Sequence, residues 1–266
     1  MTQYWPFSAL LRRGDLRDRL VVSLDLGGPR EALKLVESLA RTVGMFKVGK
    51  TLYRNGGPDL VREIRKAGGE VFLDLKFHDR AALVVRAAAE ATRLGVTMFD
   101  LHPSGGPELA ERTRAEVARV CRVEGLRRPH ILAVTMLTAL GRGTDGDGLQ
   151  NEGDRVAQLA LRAESLALDG VFTSPQEAPR IRAACSRRFI IVTSAPAPVG
   201  RWNEWPAPAS GAIEALRSGA DYVVIGSPIW RSSEPQRALR ALIDEMERGL
   251  RMNGRMGSDR LSNRSA

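Results

Sequence analysis

Eight short, β-rich apolar runs alternate with eight amphipathic helical stretches along this chain, and that alternation constrains the fold more than any other feature. Strands are expected at Leu20–Leu26, Met45–Gly49, Glu70–Leu75, Thr97–Leu101, Ile131–Met136, Gly170–Thr173, Phe189–Thr193 and Tyr222–Ile225. The intervening patterns predict helices at Pro29–Arg41, Gly57–Ala67, Ala81–Leu94, Pro107–Val120, Asp154–Leu168, Pro175–Ala184, Ser210–Ser218 and Glu234–Leu250. A helix between every two strands calls for parallel neighbours. The strands are almost continuously apolar, as strands covered on both faces must be. Eight such units closed on themselves form a (β/α)8 TIM barrel, an α/β fold, and 266 residues suit one such domain. The alternative is an open doubly wound sheet. It would want a GxGxxG loop after the first strand, and Asp25-Leu26-Gly27-Gly28-Pro29 does not supply one.

The barrel is expected to occupy residues 1–252, with a short N-terminal helix at Trp5–Arg12 beneath its floor. The polar, Gly- and Ser-rich stretch 253–266 reads as a disordered tail. The N-terminus carries charges where a signal peptide needs an apolar stretch, and no apolar run approaches the roughly 18 residues of a membrane span. A cytoplasmic location is expected, with no membrane partner. Cys121 and Cys185 fall in helical segments, and no CxxC or HxxxH spacing occurs, so reduced thiols and no zinc site are expected. The formal net charge of +9 is spread along helices without a nucleic-acid motif. It favours an anionic small molecule over nucleic acid.

Chemistry in a barrel sits at the C-terminal ends of its strands. Asp25 ends the first strand, and Lys47 lies in the second. Asp74 and Lys76 lie in the third, within FLDLKFHD, followed by Asp79. The fourth ends in Asp100 and His102, and the fifth leads to Thr135 and Thr138. Asp74 and Lys76 are two apart, so a regular strand puts them on one face. Carboxylates and ammonium groups gathered in one mouth are costly to desolvate unless they pair alternately. A salt-bridge layer that merely supports the barrel is the plainer reading. Residue type argues for chemistry. Of 40 basic residues only Lys34, Lys47, Lys50, Lys66 and Lys76 are lysine, yet lysine stands at both strand positions. An ammonium can give up a proton, whereas a guanidinium hardly ever does.

FLDLKFHD resembles the Asp-x-Lys-x-x-Asp signature of the orotidine 5'-monophosphate decarboxylase family. Leu24–Leu26, Phe46–Gly68, Asp100–Gly106, Ala133–Thr138, Leu168–Ala178 and Asp221–Ile229 are similar to that family in the same order, over about residues 20 to 245. The resemblance implies a carboxy-lyase of pyrimidine metabolism that uses no metal or organic cofactor. It implies a homodimer in which each site is shared. Asp25 and Lys47 would lie near the ribose hydroxyls of a nucleotide or nucleoside. Asp74 and Lys76 would face the reacting carbon, and Asp79 would reach across from the partner subunit. Lys76, Asp74, Asp79 and Lys47 are therefore the candidate catalytic residues. Asp25, Lys47, Thr138, Gly226, Ser227 and Arg80 are the candidate substrate-binding residues.

The departures from the family pattern cluster around the ligand. The family follows its signature with Ile-Pro-Asn-Thr, where this chain has Arg80-Ala81-Ala82-Leu83. The family's Leu-Thr-Ser becomes Leu137-Thr138-Ala139, which removes a hydroxyl for the pyrimidine amide. Its phosphate-gripping arginines are replaced by Ala197 and Ser227. Arg80, Arg201 or Arg231 could grip a phosphate from another direction, and Trp202 and Trp205 lie in a Pro-rich loop between. Three readings follow: a decarboxylase with an altered phosphate site, a divergent paralogue acting on a non-phosphorylated nucleoside-like substrate, or a catalytically silent barrel scaffold.

Overall fold

A computed structural model of the chain describes residues 16–102, 105–135, 150–195 and 209–262, the side chains of 150–154 and 252–262 excepted. Eight parallel strands close in chain order, each hydrogen-bonded to the next and the last to the first. They are β1 (Leu20–Ser23), β2 (Met45–Gly49), β3 (Glu70–Phe77), β4 (Met98–Leu101), β5 (His130–Val134), β6 (Gly170–Thr173), β7 (Ile190–Ser194) and β8 (Tyr222–Ile225). The described helices are α1 (Leu16–Arg19), α2 (Pro29–Leu39), α3 (Lys50–Lys66), α4 (Ala81–Arg93), α5 (Gly106–Glu124), α6 (Gln150–Ser165), α7 (Ala178–Ala184), α8 (Ala209–Arg217), α9 (Ser227–Trp230) and α10 (Pro235–Ser262). The expected (β/α)8 barrel is the observed fold. None of the helices is long and apolar enough to cross a membrane.

Two helices outrun their expected limits. Helix α3 begins at Lys50, two turns before Gly57, and passes through a kink there (φ 57°, ψ −158°) ahead of Pro58. A glycine at positive φ followed by a proline reads in sequence as a helix start, because proline suits a first turn. Here it joins two helical segments. Helix α10 runs to Ser262, past residue 252 where a tail was expected. Gly254 and Gly257 weaken that stretch by roughly 1 kcal/mol each, but no proline after Pro235 stops it. Residues 263–266, and the helix expected at Trp5–Arg12, lie outside the described residues.

Period-2 geometry builds the barrel interior in layers. One inward side chain from each strand forms a closed apolar plug: Val21, Met45, Phe72, Met98, Leu132, Phe172, Val192 and Val224. Phe72 and Phe172 meet edge to face with centroids 5.5 Å apart. Two residues further along, the same strand face carries Ser23, Lys47, Asp74, Asp100 and Ser194. The outward side chains, among them Phe46, Leu73, Phe99 and Ile131, pack beneath the helices in a second, larger core. The apolar plug thus seals the barrel below, and the polar layer above it opens toward solvent.

At the opposite end, arginine ties connections together. Arg182 is bonded to the carbonyl oxygens of Gly219 and Phe189 and pairs with Asp221 at 2.5 Å. Arg19 donates to the carbonyls of Ala220 and Asp221. A planar fork suits several acceptors at once.

Candidate active site

Strands β1 to β4 supply a continuous chain of alternating charge at the barrel mouth. Just beyond β1, Asp25 accepts a 2.5 Å hydrogen bond from Ser23 Oγ. Lys47 Nζ, on β2, lies 3.6 Å from Asp25 Oδ1 and 3.1 Å from Asp74 Oδ2. The other oxygen of Asp74 receives the ammonium of Lys76. Lys47 and Asp74 are buried, whereas Asp25 is 59% and Lys76 32% exposed at the side chain. The chain of charges therefore runs from a dry interior to two ends that a ligand can reach. The Lys76 ammonium also sits 5.6 Å from the Phe172 ring centroid.

The geometry sets the ionisation. Burial alone would raise the Asp74 pKa. The charge of Lys47, a hydrogen bond from Asp100, and Lys76 outweigh it and hold the carboxyl down at about 2. Burial alone would lower the pKa of Lys47, but Asp74 and then Asp25 reverse it, so the ammonium is held above its ordinary value. Asp100 goes the other way. Full burial first, and the negative charge of Asp74 second, push it well above the usual carboxylate range.

Lys76 reaches Asp74 through a break in the sheet. Leu73 pairs with Phe99 and Phe77 with Leu101, so Asp74, Leu75 and Lys76 stand against Asp100 alone. Lys76 takes a left-handed backbone (φ 50°), uncommon for a residue with a side chain. Its peptide N–H donates to Asp100 Oδ1 at 2.6 Å. The pair was expected to share a face by regular alternation; the observed contact comes from a bulge.

Small residues leave room around the cluster. A Cβ on Gly49 would stand 3.6 Å from Asp25 Oδ1 and 3.7 Å from Lys47 Nζ. One on Gly226, after β8, would stand 3.6 Å from Ser23 Cβ and 4.0 Å from Asp25 Oδ2. Gly226 therefore borders the charged cluster. Ser227 opens the short helix α9 next to it, and Arg231 closes it with its guanidinium 5.1 Å from the Trp230 ring. The indole N–H of Trp230 is buried beside Gly226, with no bonding partner among the described residues.

Asp25, Lys47, Asp74 and Lys76 are brought together. Asp79 and Arg80 are not part of that cluster within one chain. Both are exposed on the loop into α4, where Asp79 Oδ1 accepts the Arg80 backbone N–H at 2.6 Å. His78 and His102 stack on each other at 4.4 Å on the same rim. Burial, then His78 and Lys50, lower the His102 pKa. Thr138, Ala197, Arg201, Trp202 and Trp205 lie outside the described residues. Ser23, Phe172 and Asp100 were not among the candidates. Asp100 was legible only as one more strand-end acid. Its place under Lys76 depends on the β3–β4 register, which no local pattern encodes. Among the described residues no group of His, Cys, Asp and Glu is arranged to hold a metal ion.

The family described as Orotidine 5'-phosphate decarboxylase / HUMPS matches residues 18–242. A protein of Geotalea uraniireducens named orotidine 5'-phosphate decarboxylase is 40% identical over 242 residues, covering 89% of this chain and 98% of its own. One of the same name from Geobacter sulfurreducens is 40% identical over 241 residues, covering 90% and 100%. The crystal structure of orotidine 5'-phosphate decarboxylase from Lactobacillus acidophilus superimposes with a TM-score of 0.71 at 28% identity, covering 86% of this chain and 99% of that one.

Proposed function

The chain belongs to the orotidine 5'-phosphate decarboxylase / HUMPS family, and on that premise we propose that it is a cofactor-independent carboxy-lyase acting on orotidine 5'-monophosphate in pyrimidine biosynthesis. The observation that carries the reading is the Asp25–Lys47–Asp74–Lys76 alternation, with a partly exposed ammonium at its end. The substrate carboxylate sits beside Asp74, which stays ionised at neutral pH and disfavours a second negative charge. The bond from the ring carbon to the carboxyl carbon breaks, carbon dioxide leaves, and the electron pair stays on the ring carbon. Lys76 stabilises that charge as it develops. A proton then passes from Lys76 Nζ to the carbon, and the amine regains one from solvent. Asp25 and Lys47 take the ribose hydroxyls. Asp79 and Arg80, exposed in one chain, reach the site of a second copy, which makes the working form a homodimer.

One observation favours a second reading, a nucleoside-like substrate without phosphate. Ser227 follows Gly226 where the family carries an arginine, so β8 offers no cationic side chain at that position. One assay addresses both readings. Release of carbon dioxide from orotidine monophosphate is measured against release from orotidine, in wild type and in Lys76→Ala. The variant should fold normally and lose at least about 1,000-fold in turnover, as for removal of a general acid that also stabilises charge. Turnover that survives the substitution would remove Lys76 as the proton donor. A nanomolar preference for the phosphorylated ligand would sink the second reading.

A further inference from the structure

We propose that Asp100 is the positioning residue of Lys76: its buried carboxyl clamps the Lys76 peptide N–H and fixes the left-handed backbone that aims the ammonium at Asp74. The proposal rests on the role given to Lys76 above. The bulge creates the need. With three residues of β3 opposed to one of β4, the ladder cannot serve the Lys76 N–H. A buried donor left alone is costly, and so is a left-handed lysine, so this backbone persists only if something over-determines it. Asp100 Oδ1, 2.6 Å away, is what does so.

A hydroxyl or an amide could accept that bond equally well, so the use of a carboxyl needs its own explanation. Asp100 is completely buried, above the apolar Met98 and Phe72. The ionisable groups that face it are Asp74 and Lys76 from β3 and Lys47 from β2. Asp100 faces the carboxyl of Asp74, and two buried carboxyls stand together without repulsion only if one holds a proton. Both oxygens of Asp74 already receive ammonium groups, and burial together with the charge of Asp74 keeps the proton on Asp100. Among the described residues Asp100 Oδ2 has no bonding partner, which leaves it as the oxygen that carries the hydrogen. The acid accepts from the Lys76 backbone through one oxygen and keeps its hydrogen on the other, on the side of the charged pair. It thereby sets both partners of the reacting pair without adding a charge that would compete for the Lys76 ammonium.

Asp100→Asn keeps an acceptor and a donor in the same places. Asp100→Leu keeps the volume and removes both, and Asp100→Ala is measured beside it in case leucine over-fills the site. Steady-state decarboxylation of orotidine monophosphate is recorded across pH, together with amide hydrogen exchange at Lys76. The asparagine variant should stay within about fivefold of wild type with a superimposable pH profile. The leucine and alanine variants should lose about 100-fold or more in kcat with KM little changed, as expected when a reacting group is misplaced rather than removed. Their Lys76 amide should exchange faster. Undiminished kcat in both apolar variants would overturn the proposal, and so would an asparagine variant as damaged as they are. If wild type turns over no substrate, the functional reading fails by itself. The exchange rates still decide the clamp, which is overturned if the Lys76 amide stays equally protected in all three variants.

Discussion

The two buried aspartates of the mouth respond to pH in opposite senses. Asp74 titrates at about 2 in the folded chain, below the value near 4 of an unfolded aspartate. Its contribution to stability is complete above about pH 4 and is lost as pH falls toward 2. A shift of this size corresponds to roughly 2–3 kcal/mol. Burial makes Asp100 hold its proton more tightly in the folded chain than in the unfolded one, so its burial costs more stability as pH rises above about 4. Asp100→Asn removes that cost. The variant should melt above wild type at about pH 8, with the difference shrinking toward about pH 4. Thermal denaturation followed by circular dichroism tests this, and a variant that melts lower at the alkaline end would show that Asp100 is not an acid. At this scale the sequence is informative where a residue type is scarce. Lys47 and Lys76 stand out because arginine does nearly all the other cationic work, bridging carbonyls at Arg19, Arg65, Arg114, Arg182 and Arg217. Asp100 does not stand out, because its role comes from a neighbour on another strand.

Whole strands were readable where apolar patterning and turn residues agree. β2, β6 and β8 fall at their expected limits. β1 ends at Ser23, three residues early: the Leu24 N–H makes a last bond to the Lys47 carbonyl, and the apolar pattern runs on to Leu26 beyond the ladder. β3 runs two residues long because its extra length is bulged out to form the site. At the start of β6, Gly170 lies against the backbone of β7. A Cβ there would stand 2.1 Å from the Ile190 carbonyl oxygen, which cannot yield without parting the two strands. Gly170→Ala should destabilise the barrel by about 3 kcal/mol or more, at the upper end for overpacking. Urea denaturation measures this, and a midpoint within error of wild type would contradict the β6–β7 pairing. In contrast, Gly226→Ala meets only ordinary van der Waals contacts, at 3.6 Å and beyond. Any loss there belongs to ligand binding rather than folding.

At the scale of the molecule, the arginine ties and the charged array occupy opposite ends of the barrel. The Arg182–Asp221 pair and its carbonyl contacts tie the floor, and the charged chain lies at the mouth. The proposed shared site is tested by mixing two inactive variants, Lys76→Ala and Asp79→Ala. If Asp79 acts across subunits, each hybrid dimer contains one site with both native residues. Random exchange should then restore roughly a quarter of wild-type activity, as two-fold symmetry requires. No recovery, with hybrid formation shown by mass spectrometry, would confine Asp79 to its own chain. Assembly was beyond reach of the residue patterns themselves, since no stretch of sequence marks a two-fold axis, and it entered only through resemblance.

Every ionisable member of the charged array comes from β1 to β4 or the turn after β1. The departures from the family border both halves: Arg80–Leu83 follow β3, and Ser227 follows β8. The array itself is therefore held by one arc of the closed sheet. A side chain exchanged on the far arc leaves these ion pairs untouched, so the rim there can be recut to fit another molecule without unsettling the charges that the proposed chemistry needs.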